Sequence, residues 1–183
     1  GLWRRAHGSV DFAVPREEVF FLPQKPYCAL GTLRDQLLYP GGNATTIHDD
    51  AALESVLRDV GLDNLVPRLH DTLDWARTLS LGEQQRLAFA RLFLAKPKLA
   101  VCDEATSALD LKAERNMYAL LDAKLGPDLA LISVGHRPSL LQHHNLRLRL
   151  RLPGNGEGDD DGPVLLEPIT PDDKAAVASI GSV

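Results

Sequence analysis

Two adjacent carboxylates, Asp103 and Glu104, close the apolar run LAVC at residues 99–102. A short apolar run of this kind reads as a buried strand, and acids at its C-terminal end lie where α/β folds hold their ligands. Upstream, Ser80 and Glu83 have the spacing of a capping box, in which hydroxyl and carboxylate each serve a free backbone N–H at a helix start. Gly82 leaves that helix N-terminus unshielded, so its amides and dipole are suited to holding a phosphate. Asp110, after the run ATSAL, has the side chain of an N-cap for a further helix. Gln24, in the break PQKP, and His136, in VGHR, are two more polar groups at the ends of apolar runs. Each has a plainer reading: Gln24 as a solvated turn residue, His136 as a structural histidine, the capping box as a helix start and nothing more.

The elements that position these groups follow from pattern. Residues 18–22, EVFFL, read as a strand broken by Pro23 and Pro26. Thr32 caps a short helix over 33–38 with Asp35 as its acidic third residue, and Tyr39-Pro40-Gly41-Gly42 ends it. Asp49 or Asp50 opens a second helix with the stripe Leu53, Val56, Leu57 and Val60, closed by Gly61. Residues 62–78 read as shorter helical pieces ending at Asp74-Trp75, with Trp75 a core or lid residue beside Ser80. The helix from Ser80 carries Leu87, Ala90 and Leu94 inward until Pro97 stops it. A helix from Asp110 to Leu125 turns Met117, Leu120 and Leu121 inward, and LALISV at 129–134 is another buried strand. LRLRLRL at 146–152 alternates strictly, a half-exposed strand with its arginines on the wet face, and 164–169 can pair with it across a Gly/Asp-rich loop. Residues 170–183 read as a disordered tail.

Composition narrows the class. With 183 residues, 44% hydrophobic and 25% charged, the chain fits one globular domain with a real core. The net charge of −5 comes from the C-terminal 31 residues, which hold seven acids and one lysine. The remainder is near neutral, which argues against a nucleic-acid footprint. Two cysteines, Cys28 and Cys102, make no disulfide framework, and Cys102 reads as a small buried hydrophobe. No apolar run approaches the roughly 18 residues that span a membrane, so membrane work would need another segment to hold this one there. The triad His136, His143 and His144 matches no zinc spacing.

In combination, LSLGEQQRLAFARLFLAKPKLAVCDEATSALD, residues 79–110, resembles the signature motif, Walker B strand and D-loop of the ATP-binding cassette (ABC) family in their usual order. GLW at 1–3 is similar to the end of the helix that follows the family's phosphate-binding loop, and that loop, G-x-x-x-x-G-K-[ST], occurs nowhere in the 183 residues. The resemblance implies an α/β, P-loop NTPase-like core with its first strand, phosphate loop and adenine-stacking aromatic upstream. Residues 1–152 are then a partial nucleotide-binding domain, with an α-helical signature subdomain at about 32–95. Residues 153–183 are an acidic, Gly-rich loop, an edge strand and the tail. The implied cofactors are ATP and Mg²⁺. Asp103 would hold Mg²⁺ through water, with Gln24 as the Q-loop glutamine facing metal and attacking water. Glu104 would be the general base and His136 the H-loop histidine that steadies the γ-phosphate. Ser80, Gly82, Glu83 and Asp110 would face the nucleotide held by a second cassette, in a head-to-tail dimer with two ATPs at the interface. The sequence departs from the common signature at Leu81, where the family has glycine: the N–H remains, but glycine-only backbone angles do not.

The phrases GTLRDQLLYP, DWARTLSLGEQQRLAFARLFLAKPK and ISVGHRPSLLQHH resemble the D subfamily, the peroxisomal fatty-acyl transporters and their lysosomal cobalamin-linked relative. The implied whole protein is a half-transporter with a transmembrane domain upstream, moving very-long-chain fatty acids or acyl-CoA. Its ATPase would face the cytosol at the peroxisomal membrane, with lysosomal or bacterial inner membranes as alternatives. Two other readings stand beside it. One is a soluble ABC ATPase of translation or DNA repair, against which the short stretch between Gln24 and Ser80 speaks. The other is a catalytically inactive fragment or partner, since without the phosphate loop this chain alone is expected to have negligible ATPase activity.

Overall fold

The computed structural model describes residues 11–41, 48–150 and 164–180. Three short strands, β1 (Val19–Leu22), β2 (Leu99–Asp103) and β3 (Ala130–Val134), form a parallel sheet in that order. Parallel neighbours need long crossovers, and here β1 returns to β2 through a run of helices while β2 returns to β3 through one. The first crossover holds α1 (Leu33–Leu38), α2 (Asp50–Asp59), a 3₁₀ turn at Asp63–Arg68, α3 (Trp75–Thr78) and α4 (Leu81–Ala95). The second is α5 (Leu111–Lys124).

Local chemistry starts α1, α2, α4 and α5 where the sequence places them. The Thr32 hydroxyl accepts from the Asp35 N–H while the Asp35 carboxylate accepts from the Thr32 N–H, a closed capping box on α1. Asp49 caps α2, Asp110 caps α5, and Ser80 with Glu83 repeats the box on α4. Lys96 ends α4 in the left-handed conformation, φ 45°, directly before Pro97.

The core lies between one face of the sheet and the helices. Leu22, Ala100 and Cys102 point into it with Leu87, Phe89 and Leu92 of α4 and Met117, Tyr118 and Leu121 of α5. Burying each of the larger side chains contributes roughly 1.5–3 kcal/mol. Burial pushes the Cys102 thiol up to about 12, as befits a cysteine packed as a hydrophobe. Trp75 is wholly buried, and its indole N–H donates to the Gly31 carbonyl at 3.2 Å.

Four expectations need correction. β3 is covered on one face only: Ile132 and Val134 are more than half exposed, as is Phe21 on β1, because these strands lie at the edges of the described sheet, whereas β2 between them is buried or half-buried throughout. Asp74-Trp75 does not end a helical piece but begins one, with Asp74 capping α3. In the antiparallel pair β4 (Leu146–Leu150) and β5 (Val164–Pro168), Arg149 is exposed as expected, but Leu146, Leu148 and Leu166 are exposed as well. Arg147 is instead half-buried, because Glu167 lies opposite it in register and accepts its guanidinium at 2.9 Å. Residues 171–180, expected as a disordered tail, form α6 (Pro171–Ile180), started by Thr170 and Asp173 in the same reciprocal bonding seen at α1 and α4. The GLW stretch at 1–3, Gly42, residues 151–152 of the alternating run and the Gly/Asp-rich loop at 154–163 lie outside the described residues.

Candidate functional site

β1, β2 and β3 run parallel and in register, with Leu22 beside Cys102 and Cys102 beside Ser133. The residues that follow each strand therefore emerge at one edge. Gln24 comes two residues after β1, Glu104 directly after β2, and His136 two residues after β3. The Gln24 side-chain amide donates to Glu104 Oε2 at 2.7 Å, and His136 Nδ1 lies 3.4 Å from Glu104 Oε1. Three groups singled out in the sequence thus meet around one carboxylate, which is about one-third exposed beside a largely exposed imidazole. Water and a ligand can reach all of them.

Glu104 is held in an unusual backbone state. Its φ of 45° is left-handed, a region non-glycine residues seldom occupy and one that costs on the order of 1 kcal/mol or more. Its N–H donates to the Val134 carbonyl at 2.8 Å, and its own carbonyl accepts from the Ser107 N–H at 3.0 Å. Those bonds pin the turn, so the carboxylate is aimed back across the sheet edge instead of continuing the strand. Asp103, the last residue of β2, pairs in register with Val134 one step inside the edge and is partly buried.

The second group of candidates lies on two helix starts. Ser80 Oγ accepts from the Glu83 N–H at 3.3 Å and donates to Glu83 Oε2 at 2.7 Å, and the Ser80 N–H donates to the same oxygen at 2.9 Å. Burial raises the Glu83 carboxyl, but the two Ser80 donors and the nearby Arg86 guanidinium more than offset this, so it sits below the usual glutamate value. The N-terminus of α4 is therefore closed over by its own carboxylate, and an arriving phosphate must compete with Glu83 for Ser80. Leu81 sits on the first turn with ordinary helical backbone, so the departure from glycine there costs no backbone strain. Gly82 has a different requirement: a Cβ at that position would stand 3.1 Å from the Ala108 carbonyl oxygen. Its lack of a side chain lets the start of α4 pack against the loop that leads into Asp110 and α5.

Sequence reading missed the residue that joins these two groups. Gln85 is fully buried on α4. Its amide donates to the Gln24 carbonyl at 2.8 Å and to Ser107 Oγ at 3.1 Å, while its Oε1 accepts from the Ala108 N–H at 3.0 Å. One side chain thus ties the α4 face to the loop after β1 and the loop after β2. Its neighbour Gln84 is also buried but donates to nearby chain, to the Ala76 carbonyl of α3 and the Leu79 carbonyl just before α4. Nothing in the letters QQ distinguishes them; a buried amide in an otherwise apolar inward stripe was the one available signal.

No three His, Cys, Asp or Glu side chains converge as a metal-binding set among the described residues. Magnesium bound through one or two carboxylates, with waters and phosphates completing its shell, does not require one, and the oxygens of Asp103, Glu104 and Gln24 are of the hard type it takes.

The parallel sheet, with polar residues at its C-terminal edge and a helical crossover ending in a capped helix, has the ABC ATPase fold by comparison with known proteins. The solved structure of a bacterial Atm1-family ABC exporter with ATP bound matches with a TM-score of 0.59 and 25% identity, over 72% of this chain and 23% of that one. The ABC transporter family profile matches residues 6–107, more than half of the chain. An uncharacterised ABC transporter ATP-binding protein of Synechocystis is 46% identical over 84% of this chain. The mouse lysosomal cobalamin transporter ABCD4 is 44% identical over 86%, and human ATP-binding cassette sub-family D member 3 is 40% identical over 78%. The chain belongs to the ABC transporter family. It spans about a quarter of the length of these curated relatives, from 22% to 27%.

Proposed function

We propose that these residues are part of the ATP-hydrolysing domain of a D-subfamily ABC half-transporter that moves very-long-chain fatty acids or their CoA esters across an organelle membrane. The convergence of Gln24, Glu104 and His136 at one sheet edge carries the reading. Bound Mg²⁺·ATP would supply the scissile phosphoanhydride and neutralise its charge. Glu104 accepts the proton of the attacking water as general base. Gln24 orients the carboxylate from one side, and His136 on the other offers a ring nitrogen toward the transferred phosphate. Asp103 and Gln24 would hold the Mg²⁺, which would supply charge neutralisation at the phosphates. Ser80, Gly82, Glu83 and Asp110 face a nucleotide held by a second cassette, and the close packing of Gly82 on Ala108 sets the two helix starts side by side for that purpose. The D-subfamily relatives support the subfamily, and the lysosomal cobalamin transporter among them keeps a second organelle and cargo beside the acyl substrate and peroxisomal membrane that the sequence phrases imply.

The test is ATP hydrolysis by the assembled membrane protein that carries these residues. Stimulation by long-chain acyl-CoA is expected, with Glu104→Gln lowering turnover by roughly 10²–10⁴-fold, the span of a general base. Undiminished turnover in that variant removes Glu104 from the role, and recovery with ribosomes or DNA instead of a membrane fraction favours the soluble reading.

A further inference from the structure

Glu114 has no exposed surface at all. It stands one turn into α5, its N–H donating to the Asp110 carbonyl at 2.9 Å. A carboxylate so placed is costly unless every lone pair finds a donor, and here donors come from two separate loops. Thr106, in the loop after β2, donates its hydroxyl to Glu114 Oε2 at 2.8 Å. From the turn after β3, Arg137 Nη1 donates to the same oxygen at 3.2 Å and the Ser139 hydroxyl donates to Oε1. Arg137 does not stop at the carboxylate. Its planar fork also donates to the Leu109 and Ser107 carbonyls, each at 2.8 Å. The loop that bears Asp110 is thereby bonded to the residue adjacent to His136, through a guanidinium that a buried carboxylate holds in place.

We propose that Glu114 is a positioning residue: it orients Arg137 so that residues 107–110 and the His136 turn move as one body, and this body is the face the chain turns to a second cassette. Replacing a buried ion pair by apolar residues of similar volume often costs no stability, so the effect assigned to Glu114 is on geometry. The significance for a second cassette rests on the function proposed above; the ordering of the loop does not.

Amide hydrogen exchange on the chain itself, without nucleotide, tests the ordering and is indifferent to whether the chain ever meets ATP. In Glu114→Gln, the Ser107, Ala108 and Leu109 amides should exchange faster by about tenfold more than those of residues 87–92, a local opening beyond any global change. If that variant fails to fold, Arg137→Met, which leaves Glu114 bonded to Thr106 and Ser139, takes its place. The Glu114→Gln/Arg137→Met double variant separates positioning from stability. It should recover thermal stability relative to Glu114→Gln, since the uncompensated cation is gone, while the loop amides stay fast. Loop and core amides accelerating in step, or loop protection returning with stability in the double variant, overturns the proposal.

Discussion

Gln24 and Glu104 lie 80 residues apart in the chain, yet the glutamine amide donates to the glutamate carboxylate at 2.7 Å. The bond crosses the sheet edge from the loop after β1 to the turn after β2, and Glu104 enters it from a left-handed backbone. Because the pair is exposed to water, its contribution is to direction more than to stability. Gln24→Leu is expected to change unfolding free energy by less than about 1 kcal/mol, the net worth of an ordinary hydrogen bond. Chemical denaturation with an unchanged m-value checks this, and a larger loss would mean the bond holds the fold and not the carboxylate.

Gln85 should behave in the opposite way. Gln85→Leu leaves the Ala108 N–H and Gln24 carbonyl without the partner they had in a buried setting, at a cost of about 2–4 kcal/mol. The midpoint of urea unfolding reads it, and a shift equivalent to under 1 kcal/mol would show that neighbouring groups take over the bonds.

Gly82→Ala presses a methyl toward the Ala108 carbonyl, and that loop cannot yield freely while Gln85 holds the Ala108 N–H. We expect a destabilisation on the order of 1 kcal/mol, despite the better helix propensity of alanine. In a double-mutant cycle with Gln85→Leu the cost should shrink, because the loop is then free to move; strict additivity would place the constraint elsewhere.

The capping box on α4 gives a pH signature. Glu83 is held below its ordinary value of 4.5, so its contribution is present above that value and lost as pH falls through the lower folded one. Ser80→Ala should cost about 1 kcal/mol near pH 7. The gap between variant and wild type should narrow below about pH 4, where the carboxylate no longer needs the hydroxyl. Thermal unfolding across pH 3 to 7 provides the comparison; a gap independent of pH removes Glu83 from the effect.

His143 stacks on the Tyr118 ring, centroids 4.4 Å apart, and its Nε2 is buried with no hydrogen-bond partner among the described residues. Burial, and then the neighbouring His144, lower its value from the usual 6.5, with Lys174 acting in the same direction and Glu114 and Asp122 against it. A histidine whose folded value is lowered favours folding in its neutral form. Its contribution is therefore complete above pH 6.5 and is lost as pH falls toward the folded value. His143→Phe should keep the stacking and remove that part of the acid sensitivity between about pH 7 and 5. Identical pH profiles for variant and wild type would assign the sensitivity to another group.

What the sequence alone determined is what depends on neighbours a few residues away. Thr32 with Asp35, Ser80 with Glu83, and the single caps Asp49 and Asp110 each close a bond across three positions, so their helices were legible from the letters. The same chemistry at Thr170 and Asp173 was equally local, but an acidic, Gly-rich approach made the tail read as disordered. The pairing of β4 with β5 was legible from alternation; the partial burial of Arg147 was not, because Glu167 across the ladder fixed it.

The tertiary structure decided everything that joins distant segments. Strand register brought Gln24 and His136 to Glu104 and put Glu104 into a left-handed turn that no local rule requires. It separated Gln85 from Gln84, and it made Glu114, an ordinary acid on a helix by its letter, a buried carboxylate holding two loops. The physical reason is one of range. A cap is settled by a bond within one turn, whereas the worth of a buried polar group is set by donors that only the packed chain brings within 3 Å or so.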